Sequence, residues 1–289
     1  MVELGKELLL SKHHGLGNDF LVLLDMANTI SLERQEIVAL LNRRTGIGAD
    51  GLICVTATSP ESPSVARMSL YNSDGSRAEM SGNGIRCLAQ ALIDSSAVPL
   101  GPFSIDTDAG AIEIESHSAL GDPVATISVG MGMPRISETE VRTVDGVEYH
   151  AVRVDIGNPH LVLIPKQLMS KEELGLLEIS ELGPKIESEY SGGMNVEWII
   201  PDENRREVTL RVWERGAGVT QACGTGSTAS SFVANAMGLV EETVVVHNPG
   251  GDLTVQVTAK QCYLTGPAQK VCEVTITSRQ LQAMVARVK

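Results

Sequence analysis

Apolar and polar residues alternate through nine short stretches: 66–71, 111–115, 124–129, 152–156, 196–200, 208–213, 243–246, 253–257 and 271–276. A period of two is the signature of a strand with one buried face, so each stretch is predicted as a β-strand. Helical periodicity is rarer. Ser31 to Arg44 carries an amphipathic pattern with Ser31 as the expected N-cap. A second candidate is the uncharged stretch from Ala222 to Val240, rich in Ser, Thr and Gly. That composition suits a helix buried in protein rather than in lipid. A Gly- and Pro-bearing break at Gly130–Pro134 lies near the midpoint. Strands outnumber helices and do not alternate with them, which predicts an α+β architecture.

The pattern also repeats. Ser81-Gly82-Asn83-Gly84 and Cys223-Gly224-Thr225-Gly226 share the order nucleophilic side chain, Gly, polar, Gly, and lie 142 positions apart. Asn72 and Glu214 each stand nine residues before those turns, and each follows an aromatic residue, Tyr71 and Trp213. Upstream, Gly17-Asn18-Asp19-Phe20 is matched 140 positions later by Gly157-Asn158-Pro159-His160. Three landmarks at nearly one offset predict two similar domains facing one another. One detail runs against simple duplication: the apolar stripe after Ser81 is two positions out of phase with the stripe after Cys223.

Charge and composition narrow the classes. A formal charge of −13 gives no basic surface for nucleic acid or for an anionic membrane face. A local site of opposite sign can still hold a small anion. Hydrophobic residues make up 43% and aromatics only 3%, so the core rests on Val, Ile, Leu, Met and Ala. Leu8-Leu9-Leu10 is too short for a secretory core and runs at once into Ser11, Lys12 and His13. Five cysteines without a paired C-x-x-C spacing suit free thiols in a reducing, cytoplasmic setting better than disulfides or a metal site.

Gly46-Ile47-Gly48-Ala49-Asp50-Gly51 matches a dinucleotide-binding glycine pattern, but its context is reversed. That motif needs a strand before it and a helix after it. Here a helix precedes and strand-like Leu52–Val55 follows, so the glycines read as a helix C-cap and turn.

The chemistry is expected at the two Gly-rich helix starts. Such a start offers unpaired backbone N–H groups and the positive end of the helix dipole, a seat for a carboxylate. Two facing seats would clamp one carboxylate, with Ser81 and Cys223 approaching the bound molecule from opposite sides. At a helix N-terminus the Cys223 thiolate is expected to be stabilised. Beside an α-carbon it would be a base, or else a nucleophile served by His160.

The motifs Gly15–Phe20, Tyr71–Ser76, Gly82–Cys87, Gly157–His160, Trp213–Gly218 and Gln221–Gly226 together resemble the motif set of the diaminopimelate epimerase family. They occur in the family's order across nearly the whole chain. The resemblance implies two pseudo-symmetric domains, each a β-rich barrel-like sheet around a central helix, with the site in the cleft between them. The first would comprise residues 1–129 and 267–289, the second 130–266. It implies interconversion of LL- and meso-diaminopimelate without pyridoxal phosphate, any other cofactor or a metal, supplying lysine and peptidoglycan precursors. Carried over by motif, Cys223 and position 81 would be catalytic. Asn18, Asn72, Asn158, Asn195, Glu214 and Arg215 would bind substrate, and Gly82, Asn83, Gly224 and Thr225 would hold the carboxylate at the reacting centre. Arg215 would grip the distal carboxylate, as a guanidinium does bidentately. His160 and Glu214 would tune the thiol. Related enzymes are often dimers, which makes a homodimer the expected assembly.

Two positions depart from the family. Ser81 stands where the family has cysteine, and Gly51 stands where some members have a substrate-contacting Gln. A hydroxyl is a far weaker acid than a thiol. Three readings account for Ser81: an introduced substitution, a natural residue that works slowly or with help, or a paralogue that uses Cys223 alone. Two further functions stay open at this level, a racemase or dehydratase of a cyclic amino acid such as hydroxyproline, and a weakened paralogue that binds an amino acid without turning it over.

Overall fold

The computed structural model describes residues 7–78, 81–98 and 101–288. The chain divides into two compact units, one comprising Met1–Val129 with Pro267–Lys289 and the other Gly130–Gly266. Residues 1–6 and 289 lie outside the described residues.

The first unit opens with β1 (Glu7–Gly15) and β2 (Asn18–Asp25), joined by a tight turn at Leu16-Gly17, both at positive φ. Then come α1 (Arg34–Leu41), β3 (Gly51–Thr56), β4 (Ala66–Asn72), β5 (Arg77–Ala78) and the helix α2 (Gly82–Asp94). The run closes with β6 (Phe103–Thr107), β7 (Gly110–Ser116) and β8 (Val124–Gly132). The second unit opens with an additional strand, β9 (Arg135–Val144), and then repeats the order with two short helices in place of α1: β10 (Val147–Asp155), β11 (Pro159–Pro165), α3 (Lys171–Leu176), α4 (Ile179–Glu187), β12 (Asn195–Pro201), β13 (Glu207–Glu214), β14 (Gly218–Val219), α5 (Gly224–Ala236), β15 (Thr243–Asn248) and β16 (Gly251–Val257). The long β17 (Cys262–Thr277) pairs first with β16 through Cys262–Thr265 and then with β1 through Gln269–Thr277. The helix α6 (Ser278–Val285) follows it.

The pairings repeat strand for strand. β2 runs parallel to β3 and β11 parallel to β12. β3 and β12 are antiparallel to β4 and β13. β4 then pairs parallel with β6, as β13 does with β15. The fold is therefore α+β, each unit a β-rich, barrel-like sheet wound around one central helix. Alternation of apolar residues supplies the inner faces, and α2 and α5 are buried along most of their length. A second apolar layer covers the outer face of part of each sheet. In the first unit Leu8, Leu10, Leu21, Leu23 and Leu52 pack with Ile37 and Leu40 of α1 and Leu281 of α6. In the second, Tyr149, Leu161, Leu163 and Trp198 pack with Leu174, Ile179 and Ile186.

The phase mismatch after the two Gly-rich turns has a simple resolution. Both helices begin one residue after the nucleophile and run thirteen residues, so they stand in register at the offset of the turns. Because each is enclosed on nearly every side, no single stripe has to face the sheet, and apolar positions are free to drift. The first helix starts later than the pattern suggests. Its N-cap is Glu33, not Ser31, because Glu33 and Glu36 form a reciprocal capping box.

The glycines after α1 end the helix. Ile47 and Gly48 donate their N–H groups to the carbonyl of Leu40, and a Cβ at Gly46 would lie 2.0 Å from the Ala39 carbonyl oxygen. They close off helix carbonyls, and β3 rather than a helix follows them, so the turn lacks the strand-then-helix context of a dinucleotide site. Among the described residues no helix is long and apolar enough to cross a membrane.

Candidate active site

In the first unit Ser81 is the N-cap of α2, in extended backbone conformation, and its Oγ accepts a 3.0 Å hydrogen bond from the Gly84 N–H. The seat behind it is held by a buried cation. Arg86 is fully enclosed and donates to Gly82 O, Asn83 Oδ1 and Pro267 O at 3.0, 2.8 and 3.2 Å. Burial lowers its affinity for the proton to about 10. With its oxygen taken by Arg86, Asn83 presents Nδ2 to Asn18 Oδ1 at 3.2 Å, and Asn18 in turn donates to Asp50 at 2.8 Å. Asp50 is anchored by Arg43, which also bridges to Asp19. Burial pushes the Asp19 carboxyl up, but hydrogen bonds from Arg43 and Lys12 outweigh it and bring it down to about 2. A surface pocket of about 490 Å³ beside Arg43 and Asp50 offers no second site, because Arg43 is already paired with both carboxylates.

The second unit repeats this seat with different chemistry. Cys223 caps α5, and its Sγ accepts from the Gly226 N–H at 3.3 Å. Thr225 takes the place of Asn83 and lies 3.5 Å from Asn158 Nδ2, as Asn83 meets Asn18. Thr228 Oγ1 donates to Gly224 O at 2.9 Å, the bond that Arg86 makes to Gly82. Beneath the thiol, His160 Nδ1 lies 2.6 Å from Glu197 Oε1 and its Nε2 lies 3.0 Å from Asn158 Oδ1. The His160 and Glu197 side chains are both enclosed.

The expectation of a stabilised thiolate at Cys223 is corrected here. Burial, then the nearby Glu214 and Glu197 carboxylates, push the thiol well above the ordinary range. The Gly226 N–H and Thr225 favour the thiolate, but the carboxylates and the loss of water prevail. Glu214 is itself raised by burial, against hydrogen bonds from Thr220 and Cys223. At rest the site therefore holds a protonated thiol, strongly basic once it is ionised.

The remaining residues of the expected set differ in what their side chains are free to do. Arg215 is exposed, donates to Gly192 O at 3.0 Å, and has no carboxylate partner among the described residues. A surface ion pair with Glu214 is thus not its role. Gly193, at positive φ, passes under the Arg215 stem, where a Cβ would fall 2.6 Å from Cδ. Asn195 is nearly buried and doubly engaged, donating to Pro159 O at 2.8 Å and accepting from the Arg215 N–H at 3.0 Å. It fixes where Arg215 begins. Asn72 is exposed and donates to Ser76 Oγ at 3.1 Å.

Gly51 is the positional counterpart of Asn195, opposite Phe20 as Asn195 is opposite His160. A Cβ there would meet the Tyr71 carbonyl at 2.9 Å and the Phe20 ring at 3.1 Å, so the position is closed to a larger side chain as the neighbours now stand.

Sequence reasoning missed Arg86 and Glu197. Their signal was present: each is a lone charge in an otherwise apolar segment, Ile85–Ala89 and Val196–Ile199. All five cysteines are free thiols, and no cluster of three or more His, Cys, Asp or Glu among the described residues is placed to hold a metal.

Residues 10–137 and 152–271 match the family model described as diaminopimelate epimerase. The chain belongs to the diaminopimelate epimerase family. The curated diaminopimelate epimerase of Desulfitobacterium hafniense is 39% identical over 90% of this chain and 95% of its own length. Those of Halothermothrix orenii and Bacillus subtilis are 37% and 32% identical over 92% and 91% of this chain and 96% of each relative. Among solved structures, a hydroxyproline epimerase from Agrobacterium vitis with bound trans-4-hydroxy-L-proline superposes with a TM-score of 0.73 at 14% identity, covering 95% of this chain and 93% of that one. A predicted epimerase from Pseudomonas aeruginosa gives 0.67 at 16%, covering 93% and 99%. At those identities the likeness is one of fold.

Proposed function

We propose that the chain interconverts LL- and meso-diaminopimelate by proton transfer at one α-carbon, with Cys223 on one face and position 81 on the other. The observation that carries this reading is local to the second unit. A thiol at a helix start sits against Glu214, and the next residue, Arg215, presents a guanidinium with no carboxylate partner among the described residues. One carboxylate of the substrate takes the backbone N–H groups of Gly224 and Thr225, with Gly82 and Asn83 serving the Ser81 side. The other takes Arg215. A cyclic amino acid with a single carboxylate has no use for that cation, which favours the dicarboxylate over a hydroxyproline-like substrate.

In one direction the Cys223 thiolate takes the α-proton, the electron pair stays on the α-carbon beside the seated carboxylate, and the Ser81 hydroxyl returns a proton to the opposite face. In the other direction the Cys223 thiol is the donor. Glu214 and His160 govern how readily the sulfur gives up its proton. A thiol made basic by burial is matched to a very weak carbon acid, which needs a strong base. Serine is the slow partner, because its alkoxide is far less stable than a thiolate.

LL-diaminopimelate incubated with the enzyme in D₂O is expected to exchange its α-proton and yield the meso isomer, followed by NMR. Cys223→Ala should abolish both. Absence of exchange with both the present chain and Ser81→Cys would overturn the proposal. In the cell such an enzyme would serve lysine and peptidoglycan precursor synthesis in the cytoplasm, and the family's habit of pairing favours a homodimer.

A further inference from the structure

The two helix starts rest on unlike floors. In the first unit the space beside Gly84 is filled by Ile53 Cδ1 and the Phe20 ring, which a Cβ at Gly84 would meet at 3.3 and 3.4 Å. Strand register gives the counterparts. Gly51 pairs with Phe20, and Asn195 pairs with His160. Two residues further along β3 and β12 stand Ile53 and Glu197. The apolar pair Phe20–Ile53 under Ser81 is thus replaced by the polar pair His160–Glu197 under Cys223. A Cβ at Gly226 would meet Glu197 Oε1 at 2.8 Å and Cys223 Sγ at 3.2 Å.

Glu197 is an expensive residue to keep there. It is fully enclosed, and its Oε2 has no hydrogen-bond partner among the described residues. Burying an unpaired carboxylate oxygen costs stability, and the first unit shows that an apolar side chain fills the same place in the same fold. Its Oε1 lies 2.6 Å from His160 Nδ1. With that nitrogen held, the ring has one orientation left, and its Nε2 meets Asn158 Oδ1, whose amide reaches Thr225 at the start of α5.

We infer that Glu197 is a positioning residue of the Cys223 half: through His160 Nδ1 it fixes the imidazole, which aims the Asn158 amide at the Thr225 end of the carboxylate seat. The inference deepens the proposed function by naming a further residue of the same site, and it rests on that reading for its ligand. Contact with substrate is not required of Glu197. Gln at this position can still accept from Nδ1–H, whereas Leu, close in shape to Ile53, cannot.

The test uses the full chain labelled with ¹⁵N-histidine, with the His160 signals assigned from the spectrum of His160→Gln. In the unmutated protein a slowly exchanging ring proton correlated with His160 Nδ1 is expected. It should persist in Glu197→Gln and vanish in Glu197→Leu. Binding of meso-diaminopimelate, measured by calorimetry, should stay within about threefold in the Gln variant and weaken at least tenfold in the Leu variant, as loss of an aligned polar group predicts. The inference is overturned if a folded Leu variant keeps the Nδ1 proton and the original affinity, or if Gln loses as much affinity as Leu. Should Leu fail to fold, the Nδ1 proton in the unmutated and Gln proteins decides: present in both supports the role, absent in either defeats it. If the unmutated chain shows the Nδ1 proton yet does not bind meso-diaminopimelate, the substrate assignment fails while the positioning role stands.

Discussion

Replacing Ser81 by cysteine is expected to accelerate epimerisation, and the structure sets both sides of the estimate. The backbone needs no adjustment: Ser81 sits at φ −139°, ψ 120° and Cys223 at φ −120°, ψ 115°, so one unit already carries a cysteine in the conformation required of the other. The cap also survives. Sγ of Cys223 accepts from Gly226 at 3.3 Å, where Ser81 Oγ accepts from Gly84 at 3.0 Å. Trading a good cap for a weaker sulfur acceptor costs at most about 1 kcal/mol of stability. On the catalytic side, a competent acid–base group contributes about 10²–10⁴-fold, or roughly 2.7–5.4 kcal/mol of barrier at 1.36 kcal/mol per decade. The gain should fall in kcat, since the hydroxyl and the thiol occupy the same seat. The assay is the rate of meso isomer formation from LL-diaminopimelate in D₂O, with thermal unfolding run in parallel. A well-folded Ser81→Cys protein whose kcat rises less than about threefold would refute the view that position 81 supplies the second proton.

Four further outcomes are expected. Arg215→Ala should raise KM for diaminopimelate by about 10–150-fold, the worth of a charge-assisted hydrogen-bond pair of roughly 1.5–3 kcal/mol, with kcat affected less; an unchanged KM in steady-state kinetics would count against the distal clamp. Cys223 is held above the ordinary thiol range by burial, Glu214 and Glu197, so its alkylation by iodoacetamide, read by peptide mass spectrometry, should be slow at pH 8 and should keep rising with pH beyond the point where an ordinary thiol levels off. The same sign governs stability. Cys54 and Cys87 are pushed up to about 12 and Cys262 to about 11, mainly by burial, so the neutral thiols favour the fold below about pH 9 and that advantage is lost as pH rises toward those values, visible as a falling unfolding temperature. Arg86→Leu should destabilise the protein by more than about 3 kcal/mol in urea unfolding, because the oxygens of Gly82 and Asn83, both buried, and the half-buried Pro267 carbonyl lose this donor together.

Much of this molecule was legible in its sequence, and the reason is that the information was local or repeated. Alternation of apolar residues marks a strand wherever one face is buried, and β4, β7, β8, β12, β13, β15 and β16 all fall on such runs. The helix starts were visible because a nucleophile followed by Gly-x-Gly is a capping sequence whatever the rest of the chain does, and both caps formed. Outlying elements were harder to see. Short α3, α4 and α6 lack a long period, and β9 is almost wholly exposed, so its pattern carries no burial signal.

What tertiary structure decided was the environment of groups whose identity was already known. The sign of the shift at Cys223 could not be taken from its place at a helix N-terminus, because burial and two carboxylates arriving from β12 and β13 outweigh the end of one helix. Asn195 and Asn72 look alike in sequence, yet one is enclosed and spoken for while the other is exposed. Pairing His160 with Asn195 along parallel strands brought Glu197 under the thiol, a juxtaposition of residues 26 positions apart. Capping and alternation act within a few residues along the chain. Desolvation and Coulomb interactions act through space, and only the folded chain determines which charges lie within their reach.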